Sequence, residues 1–307
     1  MATTDACTGQ LITPVSGAGL DAASAPRPYF HPVRTVSGTV LTDVAPADHI
    51  HHLGLSIAFS DLNGTNFWGG STYTPDRGPV VLPNHGRQLA ESRPGTDDAG
   101  GAGGASGAGG PAGEPGAGGT VLWVSEEGVV LARERRTVRS FTHPVPGTWS
   151  LSLESVMVPA GGIPALEVSS SAVKGRTGAG YGGIFWRFPA DCSDTTVLCA
   201  DGAGEDAAHG SRSSWLAIST VTGGAPATVV LAQGTPARPW FIRAGEYLGA
   251  GPAVAWSRKA VADAAHPLHQ VLHAVIHDGR VTSPDQALRL LEHHPAANTT
   301  KHPDRTP

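Results

Sequence analysis

The sequence predicts a single all-β domain, an antiparallel sandwich or barrel with little helix. Three observations carry that expectation. Short runs rich in Val, Ile, Thr, Leu and Trp recur along the chain, with Gly and Pro as punctuation between them. Within SLSLESVMV, Leu151 and Leu153 alternate with Ser152 and Glu154, the period-two pattern of a half-buried antiparallel strand. Long amphipathic helical patterns are missing through the same region, which points to a sandwich or barrel.

In chain order the expected strands are Thr39–Leu41, Leu53–Ser60, Thr120–Ser125, Val129–Arg139 and Trp149–Met157. Ala165–Ser171, Gly183–Arg187, Ser214–Ser219, Thr228–Ala232 and Trp240–Arg243 complete the set. One helix is expected near the end. Ser283 supplies an N-cap, Pro284 the first helical position and Asp285 an acid in the first turn. Ala287, Leu288, Leu290 and Leu291 then form an apolar stripe that stops at His293-His294-Pro295. The expected organisation is an N-terminal segment over 1–26, one domain over 27–280, and a helix with a frayed tail over 281–307. The stretch Pro94–Gly119, PGTDDAGGAGGASGAGGPAGEPGAGG, has almost no side chain able to be buried, so it cannot offset its ordering entropy. It is expected to be a disordered insertion in a surface loop, with an inter-domain linker as the alternative.

Composition narrows the function classes. At 307 residues and 40% hydrophobic content, the chain can build one large core. No apolar run approaches the roughly 20 residues that span a bilayer, and the start MATTDACTGQ lacks the charged and apolar regions of a secretory signal. The expected location is the cytoplasm. A net charge of -5 with scattered basic residues argues against a nucleic-acid partner. Cys7, Cys192 and Cys199 form no CxxC pair, which suggests reduced thiols rather than a disulfide framework. A Gly-x-Ser-x-Gly elbow, an HExxH motif and a P-loop are all absent.

The densest chemistry lies between Arg27 and Trp68, where His31, Asp48, His49, His51, His52, Asn66 and Trp68 fall in one short span. Such groups bind metals, move protons or grip a polyhydroxylated ligand. As a strand, ADHIHHLG would place His49 and His51 on one face and His52 on the other. That pair is a candidate chelate, with His31, His85 or Glu154 as further ligands; the alternatives are a polar substrate pocket or histidines hydrogen-bonded at a sheet edge. Trp68 offers an indole face for stacking on a sugar ring, and Asn66 an amide for neighbouring hydroxyls. Trp68 in the core and Asn66 in a turn is the competing reading. His85 in PNHG, bounded by Gly and Pro, is a proton-transfer candidate. In GRTGAGYGGIFWRF, Arg176 and Arg187 are candidates for holding a carboxylate or hydroxyl, and Tyr181 lies between them. GEDAAHGSRSSWL adds Glu205, His209 and Arg212 as a weaker set.

The strings RPYFHPVRT, PADHIHHLGLSIAF, LNGTNFWGG, NHG, LARERRT, GYGGIFWR and RPWFIR resemble a family of bacterial proteins described as methane-oxygenase-like. The resemblance covers Arg27 to Trp256 and is interrupted by the Gly/Ala-rich insertion. It implies a metal-dependent oxidoreductase. More distantly the chain resembles galactose-mutarotase-like proteins. That likeness implies a β-supersandwich and chemistry on sugars, with a His acid and a Glu base to which no residue here is matched. The combined expectation is a protein that acts on, or simply binds, a sugar or polyol. His51, His52 and His85 are expected to carry acid–base chemistry. Arg27, His31, Asp48, Asn66, Trp68, Arg176, Tyr181, Arg187 and Glu205 are expected around the ligand. No cofactor is required, and a metal on His49 and His51 is the alternative.

Overall fold

The computed structural model describes residues 10–91 and 118–296. Their dominant regular structure is the antiparallel β-strand, with two short α-helices and one 3-10 turn beside it. A six-stranded sheet runs, edge to edge, through Ile12–Val15, Tyr29–Val33, Leu55–Ala58, Gly183–Arg187, Gly249–Pro252 and Trp240–Arg243. A nine-stranded sheet has Leu268–Asp278 at its centre, between Ala225–Gln233 and Thr148–Pro159. Outward on one side lie Trp215–Thr222, Ser193–Cys199 and Gly202–Ala203; on the other lie Val130–Thr142, Gly118–Val124 and Arg87–Ala90. A three-stranded and a two-stranded sheet complete the β-structure.

The main core lies between the two large sheets. Leu55, Ile57, Ile184, Trp186 and Ile242 from the smaller sheet share one apolar cluster with Trp123, Leu151, Leu153, Leu231, Leu272 and Ile276 from the larger. This is a β-sandwich, as the alternation of Leu151 and Leu153 predicts.

Each sheet is also covered over part of its outer face. On the larger, the helix Pro284–Glu292 lays Ala287, Leu290 and Leu291 over Trp215, Val230 and Val275. Its start has the expected cap, with Ser283 Oγ accepting from Gln286 N at 3.3 Å. The first half of the strand Thr148–Pro159, through Leu153, is buried on both faces, while from Glu154 onward buried and half-buried residues alternate. Ser150 and Ser152 are enclosed, and Ser152 Oγ pairs with His273 Nδ1 at 2.8 Å. Burial pushes the His273 imidazole down to about 4, so the inter-strand pair is one of neutral groups.

Several boundaries differ from those expected. Residues 39–41 form no strand; Val40 makes one isolated bridge to Arg34. Ile12–Val15 pairs with Tyr29–Val33, so part of the N-terminal segment belongs to the sandwich. The long central strand LHQVLHAVIHD is missing from the expected set because its three histidines interrupt the apolar pattern. It is nonetheless buried through Leu272, Ala274, Val275 and Ile276.

Most of the Gly/Ala-rich stretch, residues 94–117, lies outside the described residues. Its last two residues open the strand Gly118–Val124. The strands flanking it, Arg87–Ala90 and Gly118–Val124, are paired neighbours in one sheet. Replacing residues 94–117 with a short Gly/Ser turn is expected to move stability by about 1 kcal/mol or less, because closure entropy grows slowly with loop length. Urea denaturation of the shortened chain checks this; loss of cooperative unfolding would contradict it.

Candidate functional site

The outer face of the six-stranded sheet carries the site, and side-chain alternation puts it there. Along Gly183–Arg187, Ile184 and Trp186 enter the main core, so Phe185 and Arg187 emerge on the opposite face. Along Trp240–Arg243, Trp240 and Ile242 point inward, which leaves Phe241 and Arg243 outside. Leu55 and Ile57 likewise face the core while Ser56 and Ala58 face outward. A second aromatic cluster forms there from Phe185, Phe241 and Trp68, with Tyr181, Tyr247 and Trp256 packed against it.

Loops close over this face, and two buried polar side chains hold them. Arg27 is 2% exposed. Its Nη1 donates to Ser24 O, Ala25 O and Trp68 O at 3.0, 3.1 and 3.2 Å, and its Nη2 donates to His51 O at 2.8 Å. One guanidinium thus ties the N-terminal segment, the histidine turn and the tryptophan loop together. Asn66 is fully buried; its Oδ1 accepts from Trp68 N at 2.9 Å and Gly69 N at 3.0 Å, while Nδ2 donates to Thr72 Oγ1 at 3.1 Å. This bends the chain into Gly69 and Gly70, both at positive φ, where a Cβ on Gly70 would meet the His51 ring at 2.9 Å. His85 Nε2 lies 2.7 Å from Gly70 O and braces the same loop.

The histidines sit in a turn, not a strand. His49 N donates to Pro46 O and His52 N donates back to His49 O, both at 2.9 Å. His49, His51 and His52 consequently gather on one side instead of dividing between two faces. His49 stacks on His52 with centroids 4.5 Å apart, and His51 meets His52 edge-on at 4.9 Å. Tyr247 closes the group, 4.6 Å from His49 and 5.2 Å from His52.

These rings line a cavity of about 210 Å³. Trp68, Tyr73, Tyr181, Phe241 and Tyr247 give it aromatic walls; Arg176, Arg243 and Glu246 supply charge. Tyr181 Oη pairs with Ser171 Oγ at 2.8 Å, and its ring lies 4.9 Å from Trp68. Behind the histidines, Arg187 Nη2 donates to both carboxylate oxygens of Asp48 at 3.0 Å, and Asp48 Oδ2 accepts from His49 Nδ1 at 2.9 Å. The Arg187 guanidinium lies 4.6 Å beneath the Tyr247 ring. Its Nε and Nη1 are buried without a hydrogen-bond partner, and so is His52 Nδ1.

Electrostatics follow from this enclosure. Burial, then Arg27 and the neighbouring imidazoles, push His51 down to about 4. Burial, His51, His49 and Arg187 push His52 further down. Both rings are neutral at pH 7 and available as proton acceptors. Burial opposes ionisation of Asp48, yet the hydrogen bonds from His49 and Arg187 outweigh it and hold the carboxyl below its ordinary value. Burial raises Tyr247, which therefore keeps its proton.

Of the residues singled out in the sequence, His51, His52, Trp68, Arg176 and Tyr181 meet in this cavity, with His49 beside them. Asp48 and Arg187 form its supporting layer, and Glu205 stands behind Arg243 at 3.3 Å. Arg27, Asn66 and His85 do not line the cavity; their polar atoms are engaged with the backbone that shapes it. His31 lies elsewhere, its Nδ1 3.0 Å from Thr42 Oγ1, in a separate concavity with Asp43 and Asp191. Tyr73, Phe241, Arg243, Glu246 and Tyr247 are missing from the sequence-based set. The alternation in WFIR is a signal for two of them, because core positions for Trp240 and Ile242 imply a shared outer face for Phe241 and Arg243.

Among the described residues, no group of three His, Cys, Asp or Glu side chains is arranged to hold a metal ion. The three rings stack and abut, and His49 Nδ1 is engaged by Asp48, so the donor set does not fit the chelate expected for His49 and His51.

The sequence pattern of a family of unknown function, DUF6807, matches residues 6–291. No curated protein and no solved structure matches the chain.

Two measurements check the site's construction. Arg27→Ala leaves several buried carbonyls without a donor and is expected to destabilise by about 3 kcal/mol or more in urea denaturation; an unchanged midpoint would contradict the bracing role. Because the folded His51 binds its proton only near pH 4, the unfolded chain takes up protons first as pH falls below about 6.5. Stability is expected to be lost between pH 6.5 and 4, and His51→Gln to make that loss shallower.

Proposed function

The chain belongs to the DUF6807 family, and we propose that its outer-face cleft binds a single sugar ring or a polyol of that size and acts on it by proton transfer. One observation carries the reading: imidazoles kept neutral by burial share a cavity of about 210 Å³ with five aromatic side chains and two arginines. Aromatic faces such as Trp68 and Tyr181 stack on the C–H faces of a sugar ring. Guanidinium groups donate, and neutral imidazoles both donate and accept, along its hydroxyl edge. The cavity suits one ring rather than a chain of them.

In this reading His51 is the proton acceptor. It lines the cavity, and burial keeps its ring unprotonated at neutral pH, which leaves a ring nitrogen with a lone pair to accept a proton. His52 sits deeper, 2% exposed, with Nδ1 unpartnered, and lies against Trp68 and Phe185. Tyr247 keeps its proton and is a donor. Asp48 and Arg187 position the group from behind through His49 and Tyr247. The free thiols of Cys192 and Cys199 suit a reducing compartment, which favours the cytoplasm; no helix among the described residues is long and apolar enough to cross a membrane.

Titration calorimetry against a monosaccharide panel, followed by product analysis of the binders, tests this. Trp68→Ala is expected to weaken binding about tenfold, and His51→Gln to lower turnover about 100-fold while binding persists. Binding without turnover would make this a recognition protein. Stoichiometric iron, copper or zinc in untagged protein, with activity lost on chelation, would overturn the reading in favour of a metal-dependent oxidoreductase.

A further inference from the structure

We propose that the sugar bound in this cleft carries a carboxylate, taken up by Arg243 with Arg176. The inference rests on the sugar-binding reading and names the class of sugar. Arg243 is held along one side only. Its Nη1 donates to Ile242 O at 2.9 Å, lies 3.0 Å from His209 Nδ1 and reaches Glu205 Oε1 at 3.3 Å. Its Cζ rests 4.8 Å over the Phe241 ring. Glu205 is fixed in turn, its Oε2 accepting from Ala244 N at 2.7 Å and Gly245 N at 3.2 Å. Among the described residues no group takes up Nε or Nη2 of Arg243. The guanidinium is therefore pre-organised, with its other edge unpartnered beside the cavity that Arg243 lines.

Two parallel N–H groups on that edge match the two oxygens of a planar carboxylate. Arg176 lines the same cavity, is exposed, and makes no ion pair among the described residues. Among the described residues, Glu246 is the only carboxylate lining the cavity. At the inner end, Arg27 is among the charges that lower His51 and His52, while the charge of Arg187 is met by Asp48. Arg187 also keeps two buried N–H positions without acceptors. A neutral sugar would leave the open edge of Arg243 and the unpaired Arg176 without an acceptor. A carboxylate supplies one, and Glu246 at the wall disfavours a dianion such as a phosphate ester.

The test is titration calorimetry of the full chain with D-glucuronate, D-galacturonate, D-glucose, D-galactose and D-glucose 6-phosphate at pH 7. A uronate is expected to bind about tenfold or more tightly than the neutral sugar of the same ring, the scale of one charge-assisted pair. Arg243→Gln should remove that advantage and Arg243→Lys should keep part of it. Arg176→Gln, at an exposed position, should weaken uronate binding with an unchanged melting temperature, which keeps the test valid if Arg243 variants fold poorly. Equal binding of neutral and acidic sugars, or tighter binding of the phosphate ester, would overturn the carboxylate assignment and leave the sugar reading standing. No binding by any of the five would overturn both.

Discussion

The structure depends on burying both faces of the six-stranded sheet. A strand alternates its side chains strictly, so a sheet with one face in the sandwich core must solvate or cover the other. Here the second face carries Phe185 and Phe241, large apolar side chains that gain from leaving water, beside the buried guanidinium of Arg187, and loops fold over it. The space those loops leave is the cleft. Site and core are consequently two readouts of one pattern: Ile184, Trp186, Trp240 and Ile242 fix the register that aims Phe185, Arg187, Phe241 and Arg243 outward.

Covering a sheet with loops buries backbone polar groups, which need partners. Arg27 and Asn66 meet that need at the two loops that matter most. Arg27 gathers carbonyls from three segments, and Asn66 caps the amides of the Trp68–Gly69 bend. Beneath them a second buried set, Glu134 with Arg136, reaches Trp123, Gln88 and Pro28 O. Such interior ionic groups do not by themselves make a fold more stable, because their desolvation offsets much of their attraction. Their effect here is placement: they leave few arrangements for the histidine turn and the tryptophan loop.

Much of this was legible in the sequence. Alternating Leu151 and Leu153 reported a sandwich strand, and Ser283-Pro284-Asp285 reported the helix start. The clustering of His49, His51 and His52 near Trp68 in the chain matches their meeting in one cavity. What escaped was decided by distant partners. Strand geometry assigned to ADHIHHLG separates His52 from its neighbours, whereas the Pro46–His49–His52 hydrogen bonds make a turn that unites them. Arg27 and Asn66 look like ligand-binding groups by type, but burial commits them to backbone. His31 is close to the cluster along the chain and away from it in space, because Thr42 holds it at another surface. Tyr247 carries no local motif; it lies in the connection between Trp240–Arg243 and Gly249–Pro252, and the pairing of those strands brings it to the histidines.

The central claim is that neutral imidazoles on this outer face meet the ligand. Nitrogen-detected NMR of the protein with ¹⁵N-labelled histidine, at pH 5.5 and with added D-glucuronate, tests it most directly. The account predicts that the His51 ring is neutral at that pH and that its nitrogens shift on addition of the sugar acid, while His31 is unmoved. A protonated His51 at pH 5.5, or a response confined to His31 and the separate concavity around it, would contradict the account.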